Sequence, residues 1–366
     1  MNEDKITYKQ HVAFINRTRE LRELKTFIDK EPSEILFIHG PKSSGKTTLL
    51  YKFLEQVEKE QHLDVKFLNL RETFTHVYED FLNVFFNVRR EGEKKESAES
   101  NINVGFFKIS SAIEKKILEK RVDPFKIMKA ELIRLHQKGI KPVLIIDELQ
   151  ALDYVYIDND KERLLIIALF NFFVAVTKES HLAYVIVASS DGYFLNTIYN
   201  DSRLKKTSIF YKVDYLNKDD LMNWLLNLKK YSGIDAYALT PDDAEKIWDT
   251  VGGSMWEVQH ILTELFEKPI DSVLESYKKK MKGIVSYYAM LDKNKRELLT
   301  IVNQKGFIRM NDLEALTIDE QIIRELLRDM VRNNILYFDP AEAIYYPQGK
   351  SVGWGIRLYL EDRKKI

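Results

Sequence analysis

Apolar positions along the chain follow two rhythms. Leu21, Leu24, Phe27 and Ile28 recur at helical spacing among charges between Thr18 and Asp29, and Ile35-Leu36-Phe37-Ile38-His39 then forms a short apolar run ending at Gly40. A helix followed by a buried strand is expected there. The next helix is expected from Lys46 to about Gln61, with a second strand over Val65 to Leu70. A helix from about Asp123 to Lys138 leads into the strand Pro142 to Ile146, and one from about Lys161 to Lys178 leads into Tyr184 to Ala188. Both strand runs are apolar on both faces, as strands covered by helices on each side require. Their alternation with helices predicts an α/β fold built on a parallel sheet.

After Tyr215 the pattern turns helical, with helices expected near Lys218 to Lys230, Pro241 to Val251 and Ser254 to Phe266, the last two separated by Gly252-Gly253. Two short helical patterns follow, then a stronger one from Asp319 to Asn333. Ile335 to Phe338 and Ala343 to Tyr346 flank the turn residues Asp339-Pro340-Ala341-Glu342. Helices followed by a β-hairpin predict a winged helix. The expected division is an α/β domain over 1–213, a small helical lid over 214–285 and the winged helix over 286–366. Glu91 to Asn101 has no periodicity and almost no apolar residue, which predicts a mobile surface loop.

Composition narrows the chemistry. Fifty-six basic residues balance fifty-six acidic ones, so no whole-molecule field draws the chain to nucleic acid or an anionic membrane, and any such partner must be met by a local patch. The absence of cysteine excludes disulfides and thiol catalysis, and seven histidines leave little for a metal held mainly by protein ligands. The most apolar stretch, Leu164 to Val176, is interrupted by Asn171 and too short to span a bilayer, and Met1 to His11 is polar. A cytoplasmic protein without a membrane partner is expected. Abundant Lys and Glu fit a heat-adapted source.

Gly40-Pro41-Lys42-Ser43-Ser44-Gly45-Lys46-Thr47 fits the pattern Gly, any four, Gly-Lys-Thr, and lies between an expected strand and an expected helix start. Glycines let the backbone curl so that N–H groups converge on phosphate oxygens, and the helix adds its positive N-terminal end. Lys46 is expected to reach the β and γ phosphates of ATP and Thr47 to ligate Mg²⁺, with Thr48 also counted among the nucleotide-binding residues. Val143 to Ile146 ends in Asp147-Glu148, at the strand edge where parallel sheets bind ligands. Asp147 is expected to hold Mg²⁺ and Glu148 to polarise the attacking water as general base. Ser189 or Ser190, at the tip of the other apolar strand, could sense the γ phosphate, with Ser190 taken as the candidate.

Phe14-Ile15-Asn16-Arg17-Thr18-Arg19-Glu20-Leu21, the phosphate loop, Asp147-Glu148-Leu149-Gln150, and the ending Asn334 to Pro340 with Tyr346-Pro347-Gln348 together resemble the archaeal ATPase family. That family belongs to the AAA+ and STAND side of P-loop proteins and is related to the archaeal origin-recognition ATPases. The resemblance implies an ATPase whose Arg17 and Glu20 lie near the adenine and the lid. It also implies that Arg203, within Tyr199-Asn200-Asp201-Ser202-Arg203-Leu204, is an arginine finger acting on a neighbouring subunit, hence a homo-oligomer. Gly252-Gly253-Ser254-Met255-Trp256 stands at the family's turn before the sensor-2 helix, yet no arginine follows at the usual distance. Two functions stay open: an ATP-driven switch or remodelling motor, and a signalling module that holds nucleotide with little turnover. A small-molecule kinase fits less well, because the C-terminal third would be unexplained.

Arg324, Arg328 and Arg332 recur every four residues on the expected recognition helix and form one stripe, with Lys350 and Arg357 available from the wing region. The stripe is a candidate surface for double-stranded DNA. Thirteen Lys and Arg stand against twelve Asp and Glu from Ser286 to Ile366, and this near-neutrality argues equally for a protein client or an intramolecular contact.

Overall fold

A computed structural model describes residues 14–364, apart from 74, 90–106, 120–122, 159–161, 193, 195–197, 199–203, 291 and 315. The expected loop over Glu91 to Asn101 lies outside the described residues. The chain forms two compact units, one of Glu20–Gly40 with Lys46–Val213, the other of the described residues up to Arg19, Pro41–Gly45 and those from Asp214 onward.

The first unit is built on a sheet. In chain order it contains α1 (Thr18–Asp29), β1 (Ile35–His39), α2 (Lys46–Val57), β2 (Leu63–Asn69), α3 (Tyr78–Phe85), β3 (Phe86–Arg89), β4 (Phe107–Ser110), α4 (Ser111–Leu118), α5 (Pro124–Gln137), β5 (Lys141–Asp147), α6 (Leu165–Val174), β6 (Tyr184–Ala188) and β7 (Ser208–Lys212). Five strands pair in the order β2-β5-β6-β1-β7, all parallel. Every residue of β1 and β6 is buried, as is β5 from Pro142 onward, which accounts for their uninterrupted apolar runs. Each fully buried Ile, Leu or Phe there contributes about 1.5–3 kcal/mol of apolar transfer. Because β6 lies between β5 and β1, the phosphate-loop strand and the acidic strand are separated by one strand, and their carboxyl ends open on the same sheet edge. β3 and β4 form a separate parallel pair.

Two helices differ from expectation. α2 ends at Val57, where Glu60 N bonds back to Val57 O in a turn leading into β2. α6 begins at Leu165, because Leu164 is drawn into a bridge with Tyr156, and it continues into a wider π turn over Ala175–Glu179. α5 starts where its Asp123 cap accepts from Phe125 N, with Pro124 in the first turn.

The second unit carries α7 (Lys218–Leu225), α8 (Leu228–Ser232), α9 (Pro241–Val251), α10 (Met255–Glu264), α11 (Ile270–Tyr288), α12 (Lys293–Lys305), β8 (Ile308–Arg309), α13 (Glu320–Arg332), β9 (Leu336–Asp339), β10 (Ile344–Pro347) and α14 (Lys350–Arg363). The helix expected over Lys218 to Lys230 is divided into α7 and α8, with Asn227 between them in a non-helical conformation. α9 opens with a reciprocal Thr240 and Asp243 capping box and closes at Gly252. A side chain at Gly253 would lie 1.9 Å from Leu216 O, so only glycine allows the close backbone pass in which Leu216 N donates to Gly253 O at 3.1 Å. β8, β10 and β9 form an antiparallel sheet beside α12 and α13, an arrangement of the winged-helix kind. Lys350 and Arg357 do not lie in a wing: both sit on α14, a terminal helix packed along α11.

Among the described residues no helix is long and apolar enough to cross a membrane.

Candidate active site

The phosphate loop leaves β1 at Gly40 and enters α2 at Lys46. Ser43 and Gly45 have φ of +64° and +90°, the left-handed turns that curl the backbone, and Gly45 adopts its value without the Cβ penalty. In the sheet unit, Lys46 is 5 % exposed and donates through Nζ to Gly40 O at 2.9 Å. Burial lowers its pKa to about 8, partly offset by the attraction of Glu148 and Asp147 and reinforced by the like charge of Arg71. An ammonium held this way gains strongly from any anion brought beside it.

Thr47 Oγ1 donates to Asp147 Oδ2 at 2.6 Å, so the two residues expected at a metal meet directly. Asp147 is fully buried, and its Oδ1 has no hydrogen-bond partner among the described residues. Burial raises its pKa, countered by the Thr47 bond. A half-buried hydroxyl paired with a buried carboxylate that has one oxygen unsatisfied fits a small hard cation such as Mg²⁺, which takes one or two protein oxygens and keeps its remaining waters. Thr48 is exposed on the first turn of α2.

Glu148 follows Asp147 in a left-handed conformation, φ 60° and ψ 43°, its N–H bonded to Ala188 O at 2.9 Å. Its side chain is gathered in from three sides. Arg71 Nη2 donates to Oε1, Gln150 Nε2 donates to Oε2, and Ser190 Oγ lies within 3.3 Å of both oxygens. Ser189 Oγ donates instead to Gln150 Oε1 at 2.8 Å, so Ser190 reaches the acid and Ser189 its neighbour. Arg203 lies outside the described residues.

Arg71 is the residue that sequence reasoning missed. In the β2 to β5 register Asn69 pairs with Asp147, which puts the two residues after Asn69 beside Glu148. Strand order would have pointed to it.

In the second unit, Pro41–Gly45 is braced from behind. Arg17 is buried and donates to Ser44 O at 2.9 Å and to Asp214 O at 2.7 Å, while Tyr215 OH donates to Lys42 O at 3.0 Å. Gln348, with its amide turned as its neighbours require, accepts from Lys42 N at 2.6 Å and donates to Leu336 O at 3.3 Å. Lys42 thus has both backbone groups held by side chains from the C-terminal part of the chain. Lys42 and Ser43 themselves are exposed, Pro41 and Ser44 buried.

A family model described as an ATPase domain predominantly from Archaea matches residues 14–261. The chain belongs to this archaeal ATPase family. An uncharacterised ATP-binding protein of Methanocaldococcus jannaschii is 32% identical over 371 residues, covering 96% of this chain and 95% of that protein. A second, from Pyrococcus abyssi, is 32% identical over 349 residues, covering 95% and 98%. In structure the chain is similar to the Aeropyrum pernix ORC2 protein in its ADPNP–ADP complexes, at TM-score 0.51 and 12% identity, with 98% of each chain covered. That likeness is one of fold, the P-loop parallel sheet followed by a helical C-terminal region.

Proposed function

We propose that this chain binds MgATP at Gly40 to Thr48 and hydrolyses it to drive a conformational switch or the remodelling of a DNA or protein partner. The carrying observation is the meeting of Thr47, Asp147 and Glu148 at one sheet edge, with Lys46 buried beside them. Thr47 and Asp147 are the residues that would hold Mg²⁺, which when bound neutralises charge on the phosphate oxygens. Lys46 neutralises the β and γ phosphates, which replace the water its ammonium lacks in the buried site. Glu148 accepts the proton of the attacking water once Arg71 and Gln150 let its oxygens turn toward it, and Ser190 orients that carboxylate. Arg17 keeps the phosphate loop in its curled shape through Ser44 O. Arg203 is assigned the finger role toward a neighbouring subunit in a homo-oligomer.

A second reading, a STAND-like module that holds nucleotide with little turnover, is favoured by the lack of any arginine in α10. Steady-state ATP turnover measured across protein concentration, with and without double-stranded DNA, separates the two. A rate that rises with self-association or DNA supports the motor with Arg203 acting in trans. Negligible turnover with tight ATP binding at every concentration replaces it with the switch.

A further inference from the structure

The chain is neutral overall, yet one segment is not. From Tyr277 to Arg296 it carries seven cations, Lys278, Lys279, Lys280, Lys282, Lys293, Lys295 and Arg296, against the single acid Asp292. This run covers the second half of α11 and the start of α12. By contrast α13, with its arginine stripe, sets Arg324, Arg328 and Arg332 against Glu320, Glu325 and Asp329, and Arg324 is bonded to Glu320. The positive field of the second unit is therefore displaced from the helix that sequence reasoning nominated.

The α11 surface also has shape. Val273, Leu274, Tyr277, Met281 and Val285 form its buried face. Its outer face lines a groove of about 670 Å³ with Lys280, Gly283, Ile284 and Tyr287 on one side and Asn333 and Ile335 on the other. Tyr287 is 82% exposed, the largest exposure among the large apolar and aromatic side chains that face solvent. In the floor, Tyr288 OH donates to Asp329 at 2.6 Å, and Lys295 lies 2.9 Å from Asp329 and 3.9 Å from the Tyr288 ring centroid. The one carboxylate of the groove is thus already neutralised. Lys280 has no carboxylate within 4 Å among the described residues. Lys279, Lys282 and Lys293 are paired with Glu275, Asp362 and Glu297 on partly or fully exposed surface, where such pairs are weak and exchange readily for phosphate contacts.

We propose that the groove between α11 and α13 binds single-stranded nucleic acid, with Lys280 and Lys295, the lysines that line it, meeting the phosphates and Tyr287 stacking on a base. Charge complementarity favours a polyanion over an ordinary protein surface. An exposed ring beside lysines, in a groove without a free acid, favours unpaired bases over a duplex whose bases are already stacked. This deepens the partner side of the function proposed above but does not depend on hydrolysis, so it is tested without ATP.

The test is fluorescence anisotropy of a labelled oligothymidylate, and of a duplex of equal length, titrated with the full chain at about 50 and 200 mM salt. The single strand is expected to bind more tightly than the duplex and to weaken steeply with salt. Tyr287→Ala and Lys280→Glu should each weaken it by about tenfold, the scale of one lost base stack, while Arg324→Ala with Arg328→Ala leaves it unchanged. ATP binding should be intact in all variants, which shows that they fold and keeps this result separate from the ATPase reading. Absence of binding at low salt, a preference for duplex, or loss that follows Arg324 and Arg328 and not Tyr287 would overturn the proposal.

Discussion

Lys46 offers a sharp test, because the feature that equips it for nucleotide also strains the nucleotide-free protein. Its pKa falls from 10.5 to about 8 on folding, and at about 1.36 kcal/mol per pH unit the charged side chain is destabilising by about 3 kcal/mol at pH 7. Lys46→Met keeps the stem and removes the charge, but also removes the bond to Gly40 O, worth about 1 kcal/mol. The nucleotide-free variant should therefore be more stable than wild type by about 2 kcal/mol at pH 7. Above pH 8 folded Lys46 loses its proton while the unfolded chain keeps it up to 10.5, so the unfolded state binds more protons and wild-type stability rises with pH through that window. The advantage of the variant should shrink across it and reverse near its top, where only the lost bond to Gly40 O, about 1 kcal/mol, remains. Urea unfolding of both proteins at pH 7 and pH 10, with and without MgATP, reads all of this. Wild type at a ligand concentration of about 100 Kd should gain about 2.7 kcal/mol, and the variant nothing. A variant less stable than wild type at pH 7, or a gap that does not change with pH, would refute the burial argument.

Other substitutions address other parts of the site. Glu148→Gln should retain ATP affinity within about twofold while turnover falls by about a hundredfold or more, measured by nucleotide titration and single-turnover hydrolysis; equal loss of both would remove the general-base role. Arg71→Ala should raise turnover in the absence of any partner several-fold at unchanged ATP affinity, because it frees one oxygen of Glu148, and a fall in turnover would assign Arg71 to the phosphates instead. Glu257 in α10 is buried, and burial raises its pKa against the pull of bonds from Ser351, Tyr277 and Ser254. Glu257→Ala should cost about 2–4 kcal/mol in urea unfolding by orphaning the Ser351 and Tyr277 hydroxyls. Glu257→Gln should cost little at neutral pH, and its stability relative to wild type should rise as pH climbs from the ordinary glutamate pKa of 4.5 toward the raised one, where only the folded wild type still holds the proton.

What the sequence makes legible is what local chemistry dictates. The phosphate loop, the apolar runs of β1, β5 and β6 and the acids ending β5 each declare themselves within a few residues. β7 does not: Ser208-Ile209-Phe210-Tyr211-Lys212 is a short edge strand with no residue fully buried, so it lacks the continuous run that marks its neighbours. α11 has Val273, Leu274, Tyr277, Met281 and Val285 at helical spacing, but the lysines among them blur the stripe, and the expected boundary at 285 falls near its end. α14 is not marked as a helix in the sequence, where Lys350 and Arg357 are expected in the wing region; Gly353 and Gly355 lie within it, and glycine disfavours a helix interior. Arg71, Tyr215 and Gln348 have no local signature at all, since each acquires its contact from strand order or from residues more than seventy positions away.

The restraint on Glu148 bears on the choice between the two proposed functions. A non-glycine residue in the left-handed region costs about 1–2 kcal/mol, and here the Ala188 carbonyl and the Arg71, Gln150 and Ser190 side chains together hold it. In the general-base role proposed for it, Glu148 is anchored at its backbone and has its carboxylate engaged by Arg71, Gln150 and Ser190. Hydrolysis then needs only a side-chain rotation, and Arg71, whose own side chain is 60% exposed, is free to leave with little loss of packing. A site built for permanent nucleotide storage would gain nothing from a carboxylate held by an exposed arginine; a neutral residue at 148 would serve. Retention of Glu148 under a removable restraint is the arrangement expected of an ATPase whose turnover is gated, with the gate at the end of β2.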